Sequence, residues 1–159
     1  MFPISHFNIT KTPFYYYDKT LLSNTLAKLI RLAGERNYHV HYAVKANANP
    51  EILKLIAASG IGADCVSGGE IKAALEAGFP AKKIVFAGVG KADWEIEYAL
   101  EKKIFCFNVE SAEELSVIEE LAKKKENIAS IALRINPNID AHTHEYIQTG
   151  QIDSKFGFA

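Results

Sequence analysis

The sequence has 159 residues, of which 48% are hydrophobic and 23% are charged, which is typical of one globular domain and excludes a disordered or fibrous chain. With 18 Lys and Arg against 19 Asp and Glu, the net charge is -1 and no segment concentrates positive charge, so nucleic acid is not an expected partner. No stretch resembles a secretory signal or a membrane span, so we expect a cytoplasmic protein that does not bind membranes.

Short apolar, β-branched or aromatic runs alternate along the chain with longer segments of helical period. The predicted strands are residues 13–17, 39–44, 62–66, 83–87, 104–108 and 130–135. The clearest helical segments are residues 18–36, 49–60, 67–80 and 110–125. The alternation predicts an α/β fold of about six strands and five helices, built from repeated βα units around a parallel sheet.

The helical segments carry recognisable start and stop signals. Asp18 is a candidate cap of the first segment, and Asn49 followed by Pro50 is a typical start of the second. The third segment ends at Gly78, and the last runs from acidic to basic along its axis, which complements the helix dipole. We therefore expect amphipathic helices on the outside of the sheet.

Two architectures share this alternation of strands and helices. An open doubly wound sheet would be complete in this length, whereas a (β/α)8 barrel typically needs about 250 residues and would be unfinished. After residue 135 the chain becomes rich in Asn, Gly, Asp and Thr. A loop this long in a compact domain is usually functional or disordered.

The stretch "HYAVKANANP", residues 41–50, places Lys45 at the end of an apolar run. Strand alternation puts Lys45 on the same face as His41 and Ala43, at the carboxyl end of the strand, where α/β enzymes place their active sites. Such a lysine either extends into solvent or becomes a nucleophile in a partly desolvated site. A nucleophilic lysine of this type would bind a cofactor that carries an aldehyde group.

Other chemically suggestive groups have simpler interpretations. Cys65 and Cys106 lack paired spacing and are expected to be small buried side chains. The "HTHEY" segment, residues 142–146, offers plausible metal ligands, but no further cluster completes a four-ligand site, so no metal is expected. "SGGE", residues 67–70, is a weak phosphate-loop signal, and its glycines are interpreted as permitting a tight strand-to-helix turn.

Beyond its periodicity, the sequence contains motifs that resemble those of a known protein family. "YAVKANANP" resembles the cofactor-lysine motif of the pyridoxal-phosphate-dependent decarboxylases of basic amino acids, which have an alanine-racemase-like barrel. Three further segments match that family in order: "TPFYYYD", "GADCVSGGEIKAALEAG" and "LRINPNIDAHTHEYIQTGQIDSKFGF". The last looks like the diaminopimelate decarboxylase branch rather than the ornithine or arginine branch.

This resemblance implies a fold, a cofactor and a reaction. Residues 1–159 would be the amino-terminal part of a PLP-binding (β/α)8 barrel, with the rest of the barrel and a carboxyl-terminal β-domain absent. Lys45 would hold pyridoxal 5'-phosphate (PLP) as a Schiff base and act in the decarboxylation of meso-diaminopimelate to L-lysine, in lysine biosynthesis. The full-length protein would be a homodimer, and the isolated fragment would lack full activity.

The resemblance also assigns roles to residues near the lysine. Asp64 and Ser67 match positions near the cofactor, although a helix-capping or loop role fits Asp64 equally well. The arginine that matches Arg134 faces the active site, and a structural ion pair at the strand end is its alternative.

The last matching segment supplies candidates for contacts to substrate or to a second subunit. These candidates are His144, Tyr146 and Lys155, the last of which matches a lysine near the dimer contact. An exposed loop lysine is the alternative for Lys155.

Other functions remain open at the level of the sequence. A non-catalytic PLP-binding protein or a decarboxylase-like regulator would share the fold, as would an ornithine-type or arginine-type decarboxylase. Lys45 and the "THEYIQTG" loop favour an enzyme, because an interaction protein has no use for them. The lack of the family's downstream catalytic segments keeps the non-catalytic alternative open. A racemase shares the barrel and the lysine, but the terminal motif does not fit it.

Overall fold

The computed structural model describes residues 4–138 and 156–158. The strands are β1 (His41–Ala43), β2 (Gly62–Cys65), β3 (Ile84–Phe86), β4 (Cys106–Val109) and β5 (Ile131–Leu133). The helices are α1 (Ile4–Phe7), α2 (Lys19–Gly34), α3 (Pro50–Ala58), α4 (Gly68–Ala77), α5 (Asp93–Lys102) and α6 (Ala112–Lys124). Two 3-10 turns, Val44–Ala46 and Ala81–Lys83, connect them.

The order of the strands in the sheet decides between the two predicted architectures. Each strand pairs in parallel with the next one in sequence, and the order β1-β2-β3-β4-β5 contains no reversal. Because crossovers between parallel strands are right-handed, an order without reversal places the connecting helices on one face. A doubly wound sheet would reverse at a switch point. The described sheet is therefore an arc of a (β/α) barrel, and the open doubly wound alternative is wrong.

The predicted strand at residues 13–17 is not formed. Phe14 and Tyr15 are 39% and 89% exposed, and the rings of this segment pack locally, with Phe7 and Phe14 at 5.4 Å between ring centroids. Aromatic residues favour strands when they fit a pleated, half-buried surface beside another strand, and here no neighbouring strand pairs with the segment. The described chain has five strands rather than six.

The helix signals of the sequence are confirmed. The Asp18 carboxylate accepts from the backbone N–H of Leu21 at 2.9 Å, and Asn49 caps α3 with Pro50 at its first position. Gly78 ends α4 with a left-handed φ of 98°, a conformation that glycine adopts without steric penalty. In the part of the chain that the structure describes, no helix is long and apolar enough to span a membrane.

The fifth helix, α5, occupies an interval for which the sequence analysis names no helical segment. Its residues Ile96, Ala99 and Leu100 are at most 3% exposed and follow the spacing of one helical face. The apolar period of this helix is weak in the sequence, because four of its ten residues are acidic: Asp93, Glu95, Glu97 and Glu101.

The core lies between the helices and the outer face of the sheet. Phe86 is fully buried, and its ring lies 6.1 Å from that of Phe107 on the neighbouring strand. Cys65 and Cys106 are buried and unbridged, as expected. The outer face of β5 differs, because Ile131 and Leu133 remain 41% and 52% exposed. Apolar packing thus covers the first four strands more completely than the fifth.

We expect Phe86→Ala to lower the free energy of unfolding by about 3 to 5 kcal/mol, because it leaves a cavity where the core is fully packed. Tyr15→Ala, at a side chain that is 89% exposed, should change it by about 0.5 kcal/mol or less. Chemical denaturation of both variants measures the difference, and equal effects would show that the core is not between sheet and helices.

Candidate active site

Lys45 lies in the 3-10 turn that follows β1 directly, so its backbone is at the carboxyl rim of the sheet. The preceding residue, Val44, has its side chain fully buried in the core, whereas Lys45 is exposed. The ammonium group of Lys45 makes no hydrogen bond or salt bridge with the residues that the structure describes. The amine is therefore available for chemistry.

The backbone that carries Lys45 is fixed by hydrogen bonds on the side of α3. The Tyr42 hydroxyl donates to the carbonyl of Asn47 at 3.1 Å, and Asn47 Oδ1 accepts from the backbone N–H of Asn49 at 2.9 Å. Asn49 in turn caps α3. These contacts hold the short connection between β1 and α3 that carries Lys45.

Asp64 lies on β2, the strand that pairs with β1. It pairs with Ala43, so the two side chains project from the same face of the sheet. Its Oδ1 atom is buried and has no hydrogen-bond partner among the described residues. Burial raises the pKa of Asp64, while Lys45, His41 and Arg134 lower it through their charges. The charges of Lys45 and Arg134, which follow their strands at the carboxyl rim, and of His41, at the start of β1, therefore all act on Asp64.

The helix-capping alternative for Asp64 is wrong, because Ser67 caps α4. Ser67 Oγ accepts from the backbone N–H of Glu70 at 3.1 Å. The Gly68 N–H donates to Glu95 Oε1 at 2.7 Å and so is not free for a phosphate. A Cβ atom on Gly68 would lie 2.9 Å from the Trp94 ring. Gly68 thus permits close packing of the start of α4 against Trp94 of α5, and neither Gly68 nor Gly69 has the left-handed φ that would require glycine in the turn.

Arg134 follows β5 and is engaged in an ion pair. Its Nη1 atom donates to both carboxylate oxygens of Glu110, at 2.9 Å and 3.1 Å, and its guanidinium lies 4.6 Å from the Phe156 ring centroid. The structural ion pair considered for Arg134 is therefore confirmed. Its positive charge also opposes the rise that burial causes in the pKa of Asp64.

Three predicted site residues, His144, Tyr146 and Lys155, lie outside the described residues. The same holds for the possible metal ligands within residues 142–146.

Comparison with known proteins places the chain in a family. The family model described as "Pyridoxal-dependent decarboxylase, pyridoxal binding domain" matches residues 23–159. The chain belongs to this family. Its resemblance to the pyridoxal-dependent decarboxylases is thereby confirmed.

The relatives also support the branch that the terminal motif indicates. Diaminopimelate decarboxylase from Bacteroides thetaiotaomicron is 60% identical over 160 residues, which cover 100% of this chain and 42% of that protein. Diaminopimelate decarboxylase from Helicobacter pylori, solved in complex with L-lysine, is 46% identical, with a TM-score of 0.86 over 97% of this chain and 39% of that one. The enzyme from M. jannaschii is 39% identical, with a TM-score of 0.88 over 98% and 37%. The chain thus spans about two-fifths of these decarboxylases.

Sequence reasoning missed a second lysine, Lys91, whose side chain is only 1% exposed. Its ammonium donates to the carbonyls of Gly88 and Asn108, at 2.7 Å and 2.9 Å, and to Glu114 Oε1 at 2.6 Å. All three N–H bonds are used, so Lys91 ties β3, β4 and α6 together. It is a structural lysine and contrasts with the unengaged amine of Lys45.

The sequence held a partial signal for this cluster. The pattern S-x-x-E at residues 67–70 and 111–114 is a capping-box signature at the start of α4 and α6. Ser111 Oγ accepts from the Glu114 N–H at 3.2 Å, which is one half of a capping box. Glu114 Oε2 accepts from the Glu110 N–H at 2.9 Å, one residue before the cap, rather than from the Ser111 N–H. The signature locates Glu114 but not Lys91, which is 23 positions away.

We expect Lys91→Met to reduce the free energy of unfolding by about 3 to 5 kcal/mol, because the Glu114 carboxylate would stay largely buried without its charge partner. Lys123→Met is the matched control, since Lys123 pairs with Glu119 on the exposed face of α6. The control should have no resolvable effect. Urea denaturation compares them, and equal stability of the two variants would contradict the role of Lys91.

We also expect Asp64→Asn to change how stability depends on pH. Because burial raises the pKa of Asp64 above its ordinary value of 3.8, the folded chain keeps this proton at a pH where the unfolded chain has lost it. Stability of the parent protein therefore falls as the pH rises from the unfolded pKa through the folded pKa. Relative to the parent, the variant should gain stability across that interval. Denaturation between pH 3.5 and 7 measures this, and a difference independent of pH would refute it.

Proposed function

We propose that this chain carries the cofactor lysine of a diaminopimelate decarboxylase, which converts meso-diaminopimelate to L-lysine and carbon dioxide. The observation that carries the proposal is the unengaged amine of Lys45 beside Asp64 at the carboxyl rim, in a member of the pyridoxal-dependent decarboxylase family. Because the chain spans about two-fifths of its relatives, the activity is proposed for a protein of their full length. Residues 1–159 would form the amino-terminal part of its PLP-binding barrel.

The residues of the rim fit a pyridoxal cofactor in two respects. Lys45 offers a primary amine that no described side chain engages, and Asp64 offers a buried oxygen that lacks a hydrogen-bond partner. Buried polar atoms normally find partners, so one without a partner among the described residues leaves room for a hydrogen bond from a bound group. Lys45 would bind pyridoxal 5'-phosphate covalently, and Asp64 would accept a hydrogen bond beside it.

PLP, when bound, supplies an electron sink for the electron pair left by the departing carboxyl group. Lys45 would contribute a nucleophilic amine at Nζ, which would hold the cofactor covalently. The same nitrogen could carry a proton. The turn Val44–Ala46 places the backbone of Lys45 at the rim.

Asp64 is suited to exchange protons and to hold charge beside this nitrogen. Burial raises its pKa, so it holds a proton more readily than an exposed aspartate does, while Lys45 opposes that shift. A carboxyl group in such a balance changes its protonation in response to a nearby charge. We propose that Asp64 responds in this way when the Lys45 amine becomes bonded or free.

The remaining predicted roles belong to the longer protein. We propose that Arg134 supplies a fixed positive charge at the cofactor site, and that His144, Tyr146 and Lys155 contact the substrate or a second subunit. A homodimer in the cytoplasm is part of the same proposal. The identity of 60% to a diaminopimelate decarboxylase supports this substrate over ornithine or arginine.

We expect Lys45→Ala to abolish covalent cofactor binding in a protein of the relatives' full length. Borohydride reduction of the parent protein with PLP should leave a modified peptide containing Lys45, and the visible absorbance of the lysine-bound cofactor should disappear in the variant. Lys54→Ala is the control, because Lys54 pairs with Glu51 on the exposed face of α3. Peptide mass spectrometry and absorbance measure both.

The same protein tests the reaction and its substrate. Carbon dioxide release is expected with meso-diaminopimelate and to be far slower with L-ornithine or L-arginine. Modification at Lys45 without any release of carbon dioxide would favour a non-catalytic PLP-binding protein, and modification at another lysine would sink the assignment of Lys45.

A further inference from the structure

Glu110 is a buried carboxylate that the proposed chemistry does not use. It directly follows β4, its residue is 4% exposed, and its side chain is 2% exposed. A charge this deeply buried is strongly destabilising unless it is paired and hydrogen-bonded. It lies at the carboxyl rim of the sheet, so its hydrogen-bond donors belong to the loops at that rim.

The two oxygens of Glu110 join three separate parts of the chain. Oε1 accepts from Arg134 at 2.9 Å and from the Gly88 N–H at 3.3 Å, in the loop that follows β3. Oε2 accepts from Arg134 at 3.1 Å and from the Gly157 N–H at 3.1 Å. One carboxylate therefore connects the ends of β3 and β5 with residues 156–158.

Residues 156–158 lie against the backbone that follows β5. The Phe158 N–H donates to the Arg134 carbonyl at 2.8 Å, and the Asn136 N–H donates to the Phe158 carbonyl at 2.6 Å. Gly157 has a φ of 73°, and a Cβ atom there would lie 2.8 Å from the Arg134 carbonyl oxygen. The Phe156 ring faces the guanidinium of Arg134. Arg134 is thus contacted by Glu110 and by this segment, while its side chain stays 37% exposed.

The link from Glu110 to the candidate site runs through the charge of Arg134. Asp64 is faced by the charges of Lys45, His41 and Arg134, each of which favours its ionised form. Glu110 compensates one of these three charges, because the Arg134 ion pair uses both of its oxygens. The neighbouring charges of Lys91 and Glu114 are paired with each other.

We propose that Glu110 is a positioning residue of the candidate active site: it fixes Arg134 at the rim, balances the guanidinium charge and seats residues 156–158 against it. Its effect on the cofactor rests on the proposed function, whereas its effect on Asp64 does not. Removing the carboxylate charge while keeping the shape would leave Arg134 uncompensated. The added positive potential would favour the ionised form of Asp64 and disfavour a protonated nitrogen at Lys45.

The test is a 13C NMR titration of the Asp64 carboxyl in the full-length protein without cofactor. In Glu110→Gln the pKa of Asp64 should fall by about half a pH unit or more. In Arg134→Gln it should rise, because a favourable charge is lost. The paired variant Glu110→Gln with Arg134→Gln removes both charges and should return the pKa to within about 0.3 units of the parent value.

Glu95→Gln is the matched control. Glu95 is also buried, at 9% exposure, and accepts from the Gly68 and Ala92 N–H groups, but it does not contact Arg134 among the described residues. A loss of stability without a shift in the Asp64 pKa is expected for it. An equal shift in Glu95→Gln and Glu110→Gln would overturn the proposal, since burial rather than position would then be responsible.

A second readout uses the protein loaded with PLP. The midpoint of the pH titration of its visible absorbance should fall in Glu110→Gln and stay near the parent value in the paired variant. If Glu110→Gln does not fold, Arg134→Gln decides the matter, and an unchanged Asp64 pKa in that variant overturns the proposal. If the parent binds no cofactor while the NMR shifts appear as expected, the proposed function fails and the role of Glu110 stands.

Discussion

Parallel pairing of five consecutive strands brings all their carboxyl ends to one rim, and the loops that leave this rim must satisfy their backbone N–H groups without help from the sheet. Carboxylates perform this task. Glu70 accepts from the Val66 N–H at 2.7 Å, and Glu95 accepts from the Gly68 N–H at the same distance. Glu114 and Glu110 do the same for the loops around β4. These bonds join the loops of the rim to the helices. The connection that carries Lys45 is held instead by Tyr42, Asn47 and Asn49.

Two lysines at this rim, Lys45 and Lys91, differ in burial and in hydrogen bonding. Lys91 is buried, and its three N–H bonds are used within the protein, so its ammonium has no capacity left for a ligand. Lys45 is exposed at the end of β1 and makes no bond of this kind to the described residues. The lysine proposed to bind the cofactor is thus the exposed one of the two. Asp64 Oδ1 supports that proposal, because it is buried and has no hydrogen-bond partner among the described residues.

Local signals in the sequence predicted local structure well. Asp18, Asn49 and Gly78 each end or begin a helix where expected, because capping depends on residues within one turn. Lys45 was found for a similar reason, as alternation and a family motif act over a few positions. Residues 13–17 were misread because their strand-like composition needed a neighbouring strand that the fold does not provide.

Contacts between residues far apart in the chain could not be predicted from the sequence. Arg134 and Glu110 are 24 positions apart, and Gly157 reaches the same carboxylate from 47 positions away. No periodicity connects such residues, and only the parallel register brings them together. The sequence therefore led to Lys45 as a candidate, while the contacts of Arg134 with Glu110 and of Glu110 with Gly157 emerged from the three-dimensional fold.

Trp94 gives this architecture a built-in optical reporter. It is the single tryptophan of the chain, and its ring approaches Gly68 so closely that a Cβ atom there would be only 2.9 Å away. Gly68 begins the helix that follows the strand of Asp64. Indole emission from this chain therefore arises at one place, next to the β2–α4 connection. Any movement of that connection changes the surroundings of a lone fluorophore without the need for an introduced label.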